Sequence, residues 1–366
     1  MKRLKPLIKM ELPSALIIGI IFFVINCLAF AMIQIDITSG FEQYIIWGIN
    51  DYIESHNIGQ WNDLFRHVLL LVTVLYGCSF VGLVCASFRV DKDHETGRFL
   101  KALPFTMRER VFVKIGLAMI SFLINFVILS IGMFFLRAKV YTVYREVFEV
   151  TNIEGAVRQI FSVGFIAKSL LFLFLICIGF YLFLVTMQFM MSHNVGSVVS
   201  SVFIFFAPLF LLASIIELIG DRYRGFFSWL GYVVVELLRG PIETGFLMVD
   251  GEICGRYQYI DGCIEYVGFW SIFIAIMLIA INRLSRTYSV EKSDIFIGNK
   301  VFRGIYMVGV AVCGAFLLAD AYILVLNREV NIICYIILIV GLVISSVVSY
   351  KIGHIGMMKR HQEVQK

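Results

Sequence analysis

Long apolar runs separated by short polar segments dominate the hydrophobic pattern of this chain. A bilayer with a hydrocarbon core about 30 Å thick is crossed by a helix of roughly 20 apolar residues. The alternation of apolar and polar positions that marks the strands of a membrane barrel is missing. The pattern therefore predicts an all-α, multi-pass membrane protein. We predict eight spans, at residues 15–35, 67–88, 112–136, 164–191, 197–219, 264–282, 304–326 and 332–350.

Composition agrees with a membrane protein, and the distribution of positive charge predicts its orientation. Apolar residues make up 60% of the 366 residues, more than a soluble fold buries in its own core. Lys and Arg concentrate in alternate segments, with 20 of the 31 in those predicted to be cytoplasmic. By the positive-inside rule, both termini lie in the cytoplasm of a cell-membrane protein. The net charge of +5 thus reflects topology and anionic lipid, and no nucleic-acid partner is needed to explain it. The cytoplasmic segments are 1–14, 89–114, 192–196, 283–303 and 351–366.

The N-terminal segment predicts a short helix lying in the inner interface. Leu4, Leu7, Ile8 and Leu12 fall on one helical face, as expected of an amphipathic helix on a membrane surface. The alternative is a basic tail that only sets topology. The apolar run that follows is too long for a signal peptide, so we expect it to be a retained first span.

A second unusual segment lies on the predicted outer side. Residues 226–238 are mostly apolar but too few to cross the bilayer, and Arg239-Gly240-Pro241 follows them. This predicts a re-entrant or interfacial segment at about 226–250. A lid packed on the outer helix ends is the alternative.

The loop between the second and third spans carries the most specific pattern. Glu95, Thr96, Gly97 and Arg98 begin an amphipathic unit, after which Phe99, Leu100 and Leu103 present an apolar stripe and Pro104 ends the helix. We predict a helix of about two turns at 93–104, held across the ends of two spans and suited to a groove on a partner. A solvated connector is the alternative, but topology alone does not account for this order of residues.

The loop closely resembles the coupling helix of ABC-2 type transporter permeases, which docks on an ATP-binding subunit. The resemblance rests on Glu95, Gly97, Leu100, Leu103, Pro104, Arg108 and Lys114. It extends over residues 1–282, where the N-terminal helix resembles that family's elbow helix and 226–250 resembles its re-entrant outer segment. It implies a six-span core, followed by a cytoplasmic joint and an added two-span hairpin at 283–366, as in longer bacterial permeases. The site residues it implies for coupling to the ATPase are Glu95, Gly97, Arg98, Phe99, Leu100, Leu103, Pro104 and Arg108.

The chain contains no G-x-x-x-x-G-K-[ST] sequence that would hold nucleotide phosphates. The resemblance therefore implies a transport subunit that is not itself an enzyme and needs no cofactor of its own. ATP and magnesium would be bound by a partner ATPase chain. A second permease subunit, identical or paralogous, would complete the pathway in the lipid bilayer, and the family favours export.

A few polar side chains and one cysteine pair stand out from the apolar runs. Asn26, Asn125 and Asp320 are candidate intramembrane polar sites. For the asparagines, hydrogen bonds between helices are favoured over a role in a translocation path. Asp320 is expected to be structural, either near interfacial water or paired with Arg328. Cys254 and Cys263 share an outer loop and are a candidate disulfide. No metal-ligand spacing occurs in the sequence.

Two other function classes compete with transport. A membrane-embedded enzyme acting on lipid or peptide needs a nucleophile–base pair or a metal set at membrane depth, and the sequence offers no such motif. A sensory or scaffold protein with permease-like architecture would retain the spans and the loop but would not affect an associated ATPase. Transport is the reading that the loop favours.

Overall fold

Helices account for most of the described chain in the computed structural model. It describes residues 4–47, 60–92, 105–143, 145, 161–191, 194–219, 242–249, 252–260, 263–287, 297, 300–326 and 332–353.

Among the residues that the structure describes, eight long helices cover the eight predicted spans. Seven of them are long and apolar enough to cross a membrane. The fifth, α5, has a shorter apolar part at 196–212, with Pro208 inside it. The helices are α1 Lys5–Trp47, α2 Gln60–Lys92, α3 Met107–Val143, α4 Val163–Met190, α5 Asn194–Ile219, α6 Cys263–Thr287, α7 Lys300–Leu326 and α8 Ile332–Gly353.

Most of the helix surface needs an apolar environment. In α3, only 28% of the most apolar window is buried within the chain, and large side chains such as Ile131 and Phe135 are more than 60% exposed. Helices that are apolar on all sides suit lipid rather than water. The prediction of a multi-pass helical membrane protein is confirmed at this level.

The predicted elbow helix is not a separate element. α1 begins at Lys5 and continues through Pro13 into the first span without a break. Its 43 residues extend about 65 Å, well beyond the bilayer core. A proline within a helix removes one backbone hydrogen bond and tends to bend the helix without ending it. The prediction of a turn between an interfacial helix and the first span is therefore wrong. The prediction that the residues before the apolar run are helical is confirmed from Lys5 onward.

Part of the predicted re-entrant segment is a strand. β1, Ile242–Val249, pairs in antiparallel fashion with β2, Glu252–Ile260. The prediction of an all-α fold therefore needs one correction, a two-stranded hairpin before α6. The signal was present, because Asp250-Gly251 between two runs of β-formers is a strong hairpin sequence. Residues 220–241, which include the apolar run 226–238, lie outside the described residues.

The chain divides into two compact units. The first comprises residues 1–83, 110–181 and 239–276. Its core is an aromatic cluster in which Phe22 of α1 lies 4.5 Å from Tyr76 and 5.2 Å from Phe80 of α2, and 6.0 Å from Phe122 of α3, measured between ring centroids. All four rings are fully buried. Such tilted and edge-on contacts stabilise a core beyond the area that they bury.

The second unit comprises residues 84–109, 182–238 and 277–366. Here α7 runs parallel to α5, since Tyr306 contacts Ser200 and Asp320 contacts Ser214, fourteen residues further along both helices. If successive spans cross in alternating directions, as predicted, the fifth and seventh spans must be parallel, and they are. α8 packs closely on α7, where Gly341 lies against Ala315 and a side chain at Gly314 would overlap Ser345. Small residues at such contacts let two membrane helices approach each other.

We predict that Gly132→Ala destabilises the protein by about 1–3 kcal/mol, because a Cβ at this position of α3 would overlap the Phe30 ring of α1. Gly116→Ala, in the same helix, is the matched control because a Cβ there meets nothing within 4 Å. Unfolding in mixed micelles measures both variants. Equal stability of the two would contradict the close packing of α1 on α3.

Candidate functional site

The predicted coupling helix lies outside the described residues, whereas both of its flanks are described. Residues 93–104 contain seven of the eight coupling residues. Their predicted role stays a prediction. Arg108 is described: it is an exposed residue in the first turn of α3. The site is therefore built from the end of α2, which precedes the loop, and the start of α3, which follows it. The seven are Glu95, Gly97, Arg98, Phe99, Leu100, Leu103 and Pro104.

A capping box fixes the start of α3. The backbone N–H of Thr106 donates to Glu109 Oε2 at 2.8 Å, and the backbone N–H of Glu109 donates to Thr106 Oγ1 at 3.2 Å. This reciprocal pair satisfies two of the N–H groups that a helix start leaves without partners. The sequence Thr-Met-Arg-Glu thus determines where the loop ends.

Lys92 fixes the end of α2. Its ammonium donates to the Met191 carbonyl at 2.7 Å and to Ser197 Oγ at 3.3 Å. Met191 follows the last residue of α4, and Ser197 lies in the first turn of α5. The end of a helix carries partial negative charge on its free carbonyls, so a lysine is well placed there. The last residue of α2 is in this way joined to the α4–α5 turn, which we define as residues 191–197.

A second hydrogen bond joins the same two parts. Asn194 Nδ2 donates to the Cys85 carbonyl of α2 at 2.6 Å. Cys85 lies seven residues before Lys92, which places both on one side of the helix. The short gap predicted at 192–196 between the fourth and fifth spans agrees with the end of α4 at Met190 and the start of α5 at Asn194.

The α4–α5 turn also has an apolar side. Met187, Met191 and Ile297 form a buried cluster, against which Phe302 and Tyr306 pack. Met191 and Ile297 further form an isolated antiparallel bridge. Ile297 comes from the segment between α6 and α7, so the described part of that segment packs on the turn.

In the first unit, a charged pair joins the start of α3 to α1. Lys114 Nζ lies 3.5 Å from Glu11 Oε1, and both side chains are largely buried. Ion pairs shielded from water are screened less than surface pairs. Lys114 belongs to the sequence pattern of the loop, and the structure places it in α3, where it pairs with Glu11 of α1.

The candidate intramembrane asparagines are brought together in the first unit. Asn26 is completely buried, donates to the Asn125 carbonyl at 2.9 Å and accepts from the Tyr76 hydroxyl at 2.6 Å. Asn125 in turn donates to the Gly19 carbonyl at 3.1 Å. These bonds connect α1, α2 and α3. The network favours the structural role of both asparagines over a position in a translocation path.

Asp320 bonds to a serine of another helix, while its predicted pairing with Arg328 stays a prediction. Ser214 of α5 lies 2.5 Å from Asp320 Oδ2, and this contact joins α5 and α7 within the second unit. Arg328, the predicted partner, lies outside the described residues. The sequence did not indicate Ser214, which is 106 positions away and one of many serines in apolar runs.

The described residues add neither a disulfide nor a metal site. The side chains of Cys254 and Cys263 fall outside the described part, so their disulfide stays a prediction, although the strand register places Cys254 at a bulge in β2. Among the described residues, no three His, Cys, Asp or Glu side chains are grouped as a metal site would require.

No family model, curated protein or solved structure matches the chain.

Sequence reasoning missed Lys92, Ser197 and Tyr76. Lys92 was counted only as one of the positive charges of the loop, and its acceptors lie 99 and 105 residues away. A local signal existed for Tyr76 alone, because a buried tyrosine hydroxyl within an apolar helix needs a hydrogen-bond partner.

We predict that Asn26→Ala destabilises the protein by about 1–2 kcal/mol, because it leaves the buried Tyr76 hydroxyl without its acceptor. Tyr76→Phe should then cost less in the Asn26→Ala background than in the wild type. A double-mutant cycle of unfolding free energies in mixed micelles measures this. The control pairs Asn26→Ala with Ser130→Ala, whose hydroxyl bonds within its own helix, and should be additive. Additivity of the Asn26 and Tyr76 changes would contradict the network.

Proposed function

We propose that this chain is the membrane-spanning subunit of an ATP-driven transporter of the ABC-2 type, working as an exporter with a separate ATPase chain. The observation that carries the proposal is the residue pattern of 93–104. A short amphipathic helix with an apolar stripe, between two spans and on the positively charged side, suits docking on a soluble partner.

The described flanks of the loop support this function. Lys92 before the loop and the capping box after it are both held by specific hydrogen bonds. A displacement of the loop would therefore reach α2 and α3 directly, because the end of α2 is bonded to another segment and the start of α3 is fixed by its capping box. Rigid-body movement of helices is a common way to pass a change at one site to another.

The proposed partners follow from the missing phosphate-binding loop and from the need for two membrane subunits around one pathway. Since the chain carries no phosphate-binding loop, ATP and magnesium belong to the ATPase subunit. Two membrane subunits, either two copies of this chain or this chain with a paralogue, would enclose one pathway. The cytoplasmic placement of both termini and of the loop is part of the same proposal, because the ATPase has access only from that side.

We predict that Glu95→Ala and Leu103→Ser each weaken the association of the ATPase roughly tenfold, as expected for central interface residues. Insertion into the membrane should be unchanged. Purification in a mild detergent, followed by mass identification and an assay of ATP hydrolysis, measures both effects. Glu291→Ala, in another predicted cytoplasmic segment, is the matched control and should retain the ATPase.

A replacement of 93–104 by a Gly/Ser segment of equal length gives the strongest form of this test. The proposal predicts that the ATPase is lost from the purified complex. A fully coupled ATPase bound to the replaced chain would show that another surface makes the contact. Lipid turnover by the purified chain alone would favour the membrane-enzyme alternative instead.

A further inference from the structure

The contact between Lys92 and the α4–α5 turn has a feature that a simple helix cap does not need. Lysine side chains at the ends of membrane helices usually extend towards water. The Lys92 side chain folds back onto the protein and donates to two uncharged acceptors, one on each side of the turn. It thereby bridges the end of α4 and the start of α5.

The geometry holds the turn at two points along α2. Asn194 bonds to the Cys85 carbonyl, and Lys92 bonds to Met191 and Ser197. Two contacts about two helical turns apart fix the orientation of the turn as well as its distance from α2. A single contact would leave the turn free to rotate about it.

Close packing against buried neighbours also restricts movement of the turn. Met191 is buried against Ile297 and Phe302, and Ser201 of α5 is completely buried. Protein interiors packed in this way transmit displacement because they compress little. A movement at the end of α2 should therefore carry the turn with it.

We infer that Lys92 is the positioning residue through which a displacement of the loop at 93–104 reaches the α4–α5 turn. This inference rests on the proposed function, since it assumes that ATP in a partner subunit moves the loop. In this scheme the ends of α2, α4 and α5 in the second unit move together. The loop at 93–104 begins at the residue immediately after Lys92 in the sequence.

Hydrogen–deuterium exchange of the complete complex in lipid nanodiscs tests the inference. Exchange is compared without nucleotide and with ATP and vanadate, in peptides covering 93–104 and 187–197. In the wild type we expect nucleotide to change exchange in both peptides. In Lys92→Met, the change at 93–104 should remain and the change at 187–197 should be lost. Without nucleotide, exchange in the turn should be roughly tenfold faster, as expected when charge-assisted hydrogen bonds are removed.

Two kinds of control separate positioning from general damage. Lys92→Arg retains a cationic donor and should restore the response of the turn. Lys139→Met removes another lysine that donates to an uncharged acceptor, Gln34 Oε1 at 2.8 Å, and should leave both responses intact. Ser197→Ala removes only one of the two acceptors and serves as a milder variant if Lys92→Met fails to fold. It should reduce the response of the turn without changing that of the loop.

The outcomes distinguish a failure of the role of Lys92 from a failure of the proposed function. A nucleotide response at 187–197 that persists in Lys92→Met and in Ser197→Ala would overturn the role of Lys92 and leave the transporter proposal standing. Absence of any nucleotide response at 93–104 in the wild-type complex would overturn the proposed function, and the role of Lys92 with it.

Discussion

The hydrogen bonds around Asn26 determine how α1, α2 and α3 pack in the first unit. In hydrocarbon, a buried amide has no water to bond, so its partners must come from neighbouring helices. Asn26 meets this requirement with Tyr76 of α2 and the Asn125 carbonyl of α3. Three helices are thereby held at one rotation about their axes, and the Phe22 aromatic cluster fills the space between them.

The same requirement organises the second unit. Ser200 with Tyr306, and Ser214 with Asp320, join α5 to α7 at two levels. Lys92 joins α2 to the α4–α5 turn. Apolar surfaces in lipid provide little preference among packings, because lipid chains are as apolar as leucine. Together with the close contacts at small residues, these polar contacts therefore select the arrangement. The contact at Lys92 lies immediately before the loop at 93–104.

The sequence predicted the spans well because each needs only a local run of apolar residues. The start of α3 was not predicted, since the span was expected at 112–136, although the capping box of Thr106 and Glu109 is a local signal that could have given it. The continuous helix through Pro13 was missed because the apolar face of the first twelve residues also suits a separate helix in the membrane interface. The partners of Lys92 and Asp320 could not be predicted, because they are about a hundred residues away and are ordinary groups: a carbonyl and a serine that accept from Lys92, and a serine that donates to Asp320.

The central claim is that a separate ATPase docks on the loop between α2 and α3. A photoreactive amino acid in place of Phe99, activated in intact membranes and followed by mass identification, tests it most directly. We predict a crosslink to a chain that carries a phosphate-binding loop, and no such crosslink from a photoreactive residue in place of Phe135 on the lipid-exposed side of α3. Crosslinks from position 99 to lipid alone, or to this chain alone, would contradict the account.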